Sequence, residues 1–212
     1  MIYLYYAYLA AENHENLLKN KLPEFSFSLN ETLVKNKRWQ HIQLSLLGRI
    51  LLFTSLKKHY HLNLKDDAIK YNAYNKPFFE GNPVYFNISH SGEIVVCAVT
   101  DSFELGIDIE KIHEIDVDNF RVNMTNNEWH KIIASDPIHE AFFDYWTQKE
   151  AVIKASGAGQ SIPLNSFEVI ENSTVIKNEK LFLKEIKLDK NYKCYVASQS
   201  NSNDFYIEKV MV

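Results

Sequence analysis

The hydrophobic pattern of this chain passes twice from helical to strand period, and that alternation limits the folds open to it more than any other feature. An apolar opening over residues 1–9 reads as a first strand, and polar sequence follows to about residue 37. Ile42, Leu46, Ile50, Phe53 and Leu56 then recur at helical spacing, so one long helix is expected over 38–60. From Tyr71 the pattern becomes that of short strands at 84–88, 94–99 and 105–109, separated by Asn75-Lys76-Pro77 and Glu80-Gly81-Asn82-Pro83 and expected to form a meander. The sequence then starts again. Thr125 and Glu128 have capping-box spacing for a short helix reaching Ile133. Asp136-Pro137 opens a longer helix over 138–156 with Gly157 at its stop, and strands are expected at 167–170, 181–186, 192–196 and 205–210. The fold class implied is α+β, in two similar subdomains of helix plus small antiparallel sheet. A charged stretch over 110–118 divides them into 1–112 and 113–212.

The chain has 212 residues, 46% apolar and 13% aromatic, which supplies the core that a disordered chain lacks. Its net charge of −4 argues against nucleic acid or an anionic membrane as partner, so any binding site must be local. Cys97 and Cys194 lie far apart in apolar runs and read as buried reduced thiols. The N-terminus lacks the basic stretch of a signal peptide, and no run approaches the ~20 apolar residues of a membrane span. A monomeric, soluble, cytoplasmic protein is expected.

Three clusters could carry chemistry. In Gly106-Ile-Asp-Ile-Glu110, strand alternation puts Asp108 and Glu110 on one face, where two carboxylates can share a hard cation if a third ligand arrives. An isolated pair of this kind is more often a solvated edge. Glu150 could be the third ligand: it lies one helical turn from both Trp146 and Lys154, beside the apolar face, although local sequence alone favours an ordinary Glu–Lys pair. Asn87-Ile-Ser-His-Ser-Gly92 ends a strand and can offer hydroxyls, an imidazole and N–H groups to an anion, or simply a hydrogen-bonded structural histidine.

Taken in order, these clusters with Leu46-Leu-Gly48, Lys76-Pro77, Trp146-Thr-Gln-Lys-Glu-Ala-Val-Ile-Lys154 and Ile162-Pro-Leu164 resemble the 4′-phosphopantetheinyl transferases of the larger, surfactin-synthetase-activating type. The resemblance implies transfer of the phosphopantetheine arm of coenzyme A to a serine of an acyl or peptidyl carrier protein, with release of 3′,5′-ADP. It implies pseudo-twofold subdomains with coenzyme A between them. It further implies magnesium, or manganese, on Asp108, Glu110 and Glu150, with Glu150 taking the serine proton directly or through a water held by the metal. Lys154 would neutralise charge on the transferring phosphate with Lys149 nearby, and His90 with Ser89 would contact coenzyme A phosphate, His90 counting with Glu150 and Lys154 among the catalytic residues through phosphate contact or proton transfer. Lys76 and Pro77 would meet the nucleotide end. Lys35, Lys37, Arg38 and Ser45 are candidates for the 3′-phosphate. The resemblance departs at Leu44, where many relatives carry arginine. By the same analogy residues 155–167 form the platform for the carrier.

Two other readings stay open on sequence: a different metal-dependent nucleotide phosphoryl transferase or hydrolase, and a module that binds coenzyme A or a carrier without turnover. Neither Asp108 nor Glu150 is expected to be a packing residue, so Asp108→Ala and Glu150→Gln should abolish transfer and spare the fold.

Overall fold

The computed structural model describes residues 1–25, 38–201 and 204–211. The chain is mixed α and β and divides into two compact units: Met1–Asn72 with Pro77–Ser102 and Asp204–Val212, and Ala73–Lys76 with Phe103–Asn203.

The first unit is built on a four-stranded sheet in the order β10-β1-β5-β4, from β1 Ile2–Tyr8, β4 Tyr85–Ser91, β5 Ile94–Thr100 and β10 Phe205–Lys209. The strand read at the C-terminal end thus joins this sheet, and it runs parallel to β1, so the sheet is not wholly antiparallel. Besides α1 His14–Lys21, the unit has one long helix, α2 Trp39–Tyr60, whose residues Leu46, Leu47, Leu51, Leu52 and Leu56 are fully buried with Tyr5, Val95, Cys97 and Val99. Gly48 sits where a Cβ would come 2.9 Å from Ile88 of β4, so the glycine of Leu46-Leu47-Gly48 sets how closely α2 approaches the sheet. Buried Gln43 exchanges two 2.9 Å hydrogen bonds with the backbone of Ala10, satisfying both ends of its amide. A two-stranded ribbon, β2 Ile69–Tyr71 and β3 Pro77–Phe79, completes the unit. The sequence reading missed α1 and this ribbon, because the first is mostly polar and the second falls among turn residues.

The second unit carries a four-stranded antiparallel sheet ordered β6-β9-β8-β7: β6 Leu105–Lys111, β7 Ser173–Ile176, β8 Glu179–Glu185 and β9 Tyr192–Ser198. Here the expected meander fails. β4 and β5 do pair, but β6 leaves them and lies against β9. The strand expected at 167–170 is also absent apart from a bridge from Ile170 to Ser173, and β7 starts later, between Glu171-Asn172 and Lys177-Asn178, all four at positive φ. Two helices, α3 Asn126–Ile133 and α4 Ile138–Ser156, pack on each other, and α4 covers β6 and β9. The capping box of Thr125 and Glu128 forms as read, and α4 ends on Gly157 at φ 66°. Both cysteines are free and buried, and no helix among the described residues is long and apolar enough to cross a membrane.

Candidate active site

The second unit gathers the acidic cluster on one strand and one helix. Side chains of β6 alternate, so Gly106, Asp108 and Glu110 share a face while Leu105, Ile107 and Ile109 are buried on the other. The first face meets α4 closely: a Cβ on Gly106 would lie 2.2 Å from both the Ala151 carbonyl oxygen and the Ala155 nitrogen. Only a residue without a side chain lets the helix backbone lie on the strand there. This glycine was quoted in the motif but given no role, and the packing defines it.

The contact sets the register between helix and strand. Two residues along, Lys154 donates to Asp108 Oδ1 at 2.6 Å; Asp108 is buried at 3% exposure, whereas the lysine side chain keeps 29%. Glu150, one turn earlier on α4, is half-buried. Burial chiefly, and then the charge of Asp108, push its carboxyl above the usual range, with Lys154 pulling the other way. Glu110 is half-buried and stands opposite Lys193 in the β6–β9 register. Lys193 in turn pairs with Glu140 of α4 at 2.9 Å. Among the described residues no three His, Cys, Asp or Glu side chains converge closely enough to hold a metal ion. The burial of Asp108 corrects the expectation that it stands outside the packing. Its carboxylate is part of the strand–helix layer, so Asp108→Ala would break the ion pair with Lys154.

Two expected phosphate contacts are engaged within this unit. Lys149 is 0% exposed and pairs at 2.8 Å with Glu128, itself 0% exposed, while donating to the carbonyls of Leu164 and Phe167. All three of its N–H donors are used in the interior, which corrects its assignment to coenzyme A. Lys76 pairs with Glu104 at 2.5 Å and donates to the carbonyls of Leu105 and Ala155, so it joins the start of β6 to the last turn of α4. A nucleotide contact by Lys76 would have to displace Glu104.

The first unit holds a depression of about 570 Å³ lined by Arg38, Gln40, His41, Leu44, His90 and Gly92. Three of these, Arg38, Gln40 and His41, stand at the start of the 22-residue helix α2, whose first turn has no acidic residue. A cation such as Arg38 at the positive end of a helix dipole is unfavourable by about 0.3–1 kcal/mol unless an anion joins it, and the N–H groups of a helix start favour that anion. His41 was not anticipated; its place one turn from Arg38 was the available signal. Leu44, the departure from the family pattern, is buried and gives the depression an apolar lining. Ser45 lies one turn beyond His41 and is not part of the lining. His90 is exposed and Ser89 is buried, on opposite faces of β4, so the structure does not bring that pair together. Pro77 opens β3 opposite Tyr71. Lys35 and Lys37 lie outside the described residues.

Comparison with known proteins converges on one family. Residues 104–205 match the model of the 4′-phosphopantetheinyl transferase superfamily. The chain is 39% identical over 166 residues to the 4′-phosphopantetheinyl transferase gsp of Aneurinibacillus migulanus, covering 74% of this chain and 69% of that protein. It is 35% identical over 150 residues to Sfp of Bacillus subtilis, covering 68% and 66%. With ffp, also of Bacillus subtilis, identity is 31% over 186 residues, covering 82% and 83%. The matched segment contains β6, α4 and the Asp108–Lys154 contact between them, and the chain belongs to the 4′-phosphopantetheinyl transferase family.

Proposed function

We propose that this protein transfers the 4′-phosphopantetheine arm of coenzyme A to a serine hydroxyl of an acyl or peptidyl carrier protein, releasing 3′,5′-ADP. The observation that carries the reading is the seating of α4 on β6 over Gly106, which sets Lys154 against Asp108 and brings Glu150 under the influence of that carboxylate. In the reaction the serine oxygen bonds to the phosphorus that carries the pantetheine arm, the bond from that phosphorus to the bridging oxygen breaks, and the serine proton must leave.

Glu150 suits the last task. A carboxylate whose proton affinity burial has raised is a better general base than an exposed one. Lys154 offers a charge-assisted donor for the phosphate oxygens, and its partial exposure leaves it reachable. Arg38, His41 and His90 hold phosphate in the depression at the start of α2. Asp108, Glu110 and Glu150 fit magnesium or manganese in donor type, being three hard oxygen ligands of which two already repel each other. They do not converge on one point in the structure, so these three residues would hold the ion by drawing together around it. When bound, it would supply charge neutralisation at the diphosphate.

The test is to incubate the protein with magnesium, coenzyme A and a panel of apo-carrier domains and to weigh the carriers. The expected result is at least one carrier heavier by a single phosphopantetheine arm. Unmodified carriers throughout would refute the reading, with coenzyme A cleaved in their absence indicating a hydrolase and coenzyme A bound but intact indicating a binding module.

A further inference from the structure

Lys149 precedes the proposed base, and yet its ammonium is spent entirely inside the second unit. Its three acceptors are Glu128 at 2.8 Å, the Leu164 carbonyl at 2.8 Å and the Phe167 carbonyl at 2.8 Å, and it stands 4.4 Å from the centre of the Phe167 ring. Glu128 is equally committed: besides Lys149 it accepts from the backbone N–H of Thr125 at 2.9 Å and of Val169 at 3.1 Å. A capping-box carboxylate therefore also binds a neighbouring helix and the segment after it. Burying two charges costs several kcal/mol per ion, so apolar residues of similar volume would serve stability as well or better. What an apolar contact lacks is direction.

Direction matters at this position. Successive residues of an α-helix are separated by about 100° around its axis, so Lys149 and Glu150 face different neighbours. If α4 turned by about 15°, a side-chain end some 5.5 Å from the axis would move by roughly 1.5 Å. A misplacement of about 1 Å can lower a rate about 10²-fold. The Lys149 bonds to α3 and to the 164–169 segment oppose that rotation.

We propose that Lys149 is a positioning residue: its buried pair with Glu128 and its bonds to Leu164 and Phe167 fix the rotation of α4 and so present Glu150 to Asp108 on β6. The kinetic part of this inference rests on the transfer reading above. The geometric part does not.

The deciding variant is the double substitution Lys149→Met with Glu128→Gln, which leaves no buried charge unmatched and keeps a glutamine suited to the capping box. The expected result is a cooperatively folded protein whose kcat for transfer is 10- to 100-fold lower while KM for coenzyme A changes less than twofold. A kcat within twofold of wild type, or loss of activity that only follows the folded fraction, would overturn the proposal. A second readout needs no activity. Glu150→Gln should raise the melting temperature of the wild type by several degrees, and by less in the double-variant background, where a freely turning α4 fixes neither the burial of Glu150 nor its approach to Asp108. Equal gains in the two backgrounds would overturn the proposal even if the wild type modified no carrier, an outcome that by itself would refute only the transfer reading. Should the double variant not fold, Glu128→Asp carries the same two readouts, because it keeps both charges and shortens the acid by one methylene.

Discussion

Gly106→Ala adds a single methyl group where the structure has no room for it. The new Cβ would stand 2.2 Å from the Ala151 oxygen and the Ala155 nitrogen and 2.8 Å from the Lys154 carbonyl carbon. All three are backbone atoms of α4, so no side chain can swing aside. Restoring an ordinary contact of about 3.5 Å requires helix and strand to separate by on the order of 1 Å. Gly106 does not have positive φ, so alanine meets no backbone penalty, and the lost flexibility of the unfolded chain would by itself favour alanine by about 0.4–1 kcal/mol. Any net loss therefore reports the clash. Overpacking of this kind costs about 1–3 kcal/mol, or a fall of roughly 2–12 °C in Tm for a chain this size. The larger effect is on chemistry. Separation by 1 Å stretches the 2.6 Å bond from Lys154 to Asp108 beyond hydrogen-bonding distance and moves Glu150 with it, so kcat should fall about 10²-fold. Thermal denaturation and the rate of carrier mass gain measure the two quantities on one preparation. A variant as stable and as fast as the wild type would refute the claim that this contact sets the site.

Glu150→Gln should abolish transfer and at the same time stabilise the metal-free protein by about 0.5–2 kcal/mol at pH 7–8. Because burial and Asp108 raise the Glu150 carboxyl in the folded state, the wild type loses stability as pH climbs from the unfolded carboxylate's value of about 4.3 through the raised one. The gain from glutamine should accordingly vanish below about pH 4, and equal stability of the two proteins at pH 8 would contradict the assignment. His90→Ala and Arg38→Ala, in the depression of the first unit, should each raise KM for coenzyme A about 10-fold and leave kcat at saturating coenzyme A within a few-fold, measured by steady-state transfer. A fall in kcat with KM unchanged would move these residues out of phosphate binding.

The parts of the fold that were legible in the sequence are those set by local order. Helix α4 keeps one apolar face from Phe142 to Ile153 and ends on a glycine, and the Thr125–Glu128 box needs only its own spacing. The destination of β6 is different. Its hydrophobic content says strand, and a short turn after β5 suggests a hairpin, but the packing that keeps it in the second unit involves residues 151–155, some 45 positions away. β7 was missed because its signal is two Asn-containing pairs at positive φ and not the Asn-Gly that marks such turns. Among candidate site residues, Asp108, Glu150 and Lys154 could be listed from the family resemblance of their motifs, yet which of them touch depends on where α4 crosses the strand. Lys149 misled most: a lysine beside an acid on a helix reads as exposed charge, and Glu128, on the preceding helix α3, is what lets it be buried.

The most direct test weighs one apo-carrier domain after incubation with coenzyme A and magnesium alongside three samples: the wild type, Glu150→Gln, and wild type with excess chelator. The expected outcome is a carrier heavier by one phosphopantetheine arm in the first sample and unchanged in the other two. A carrier modified as fast by Glu150→Gln as by the wild type, or by no sample across the carrier panel, would contradict the account of how β6 and α4 make a transferase site.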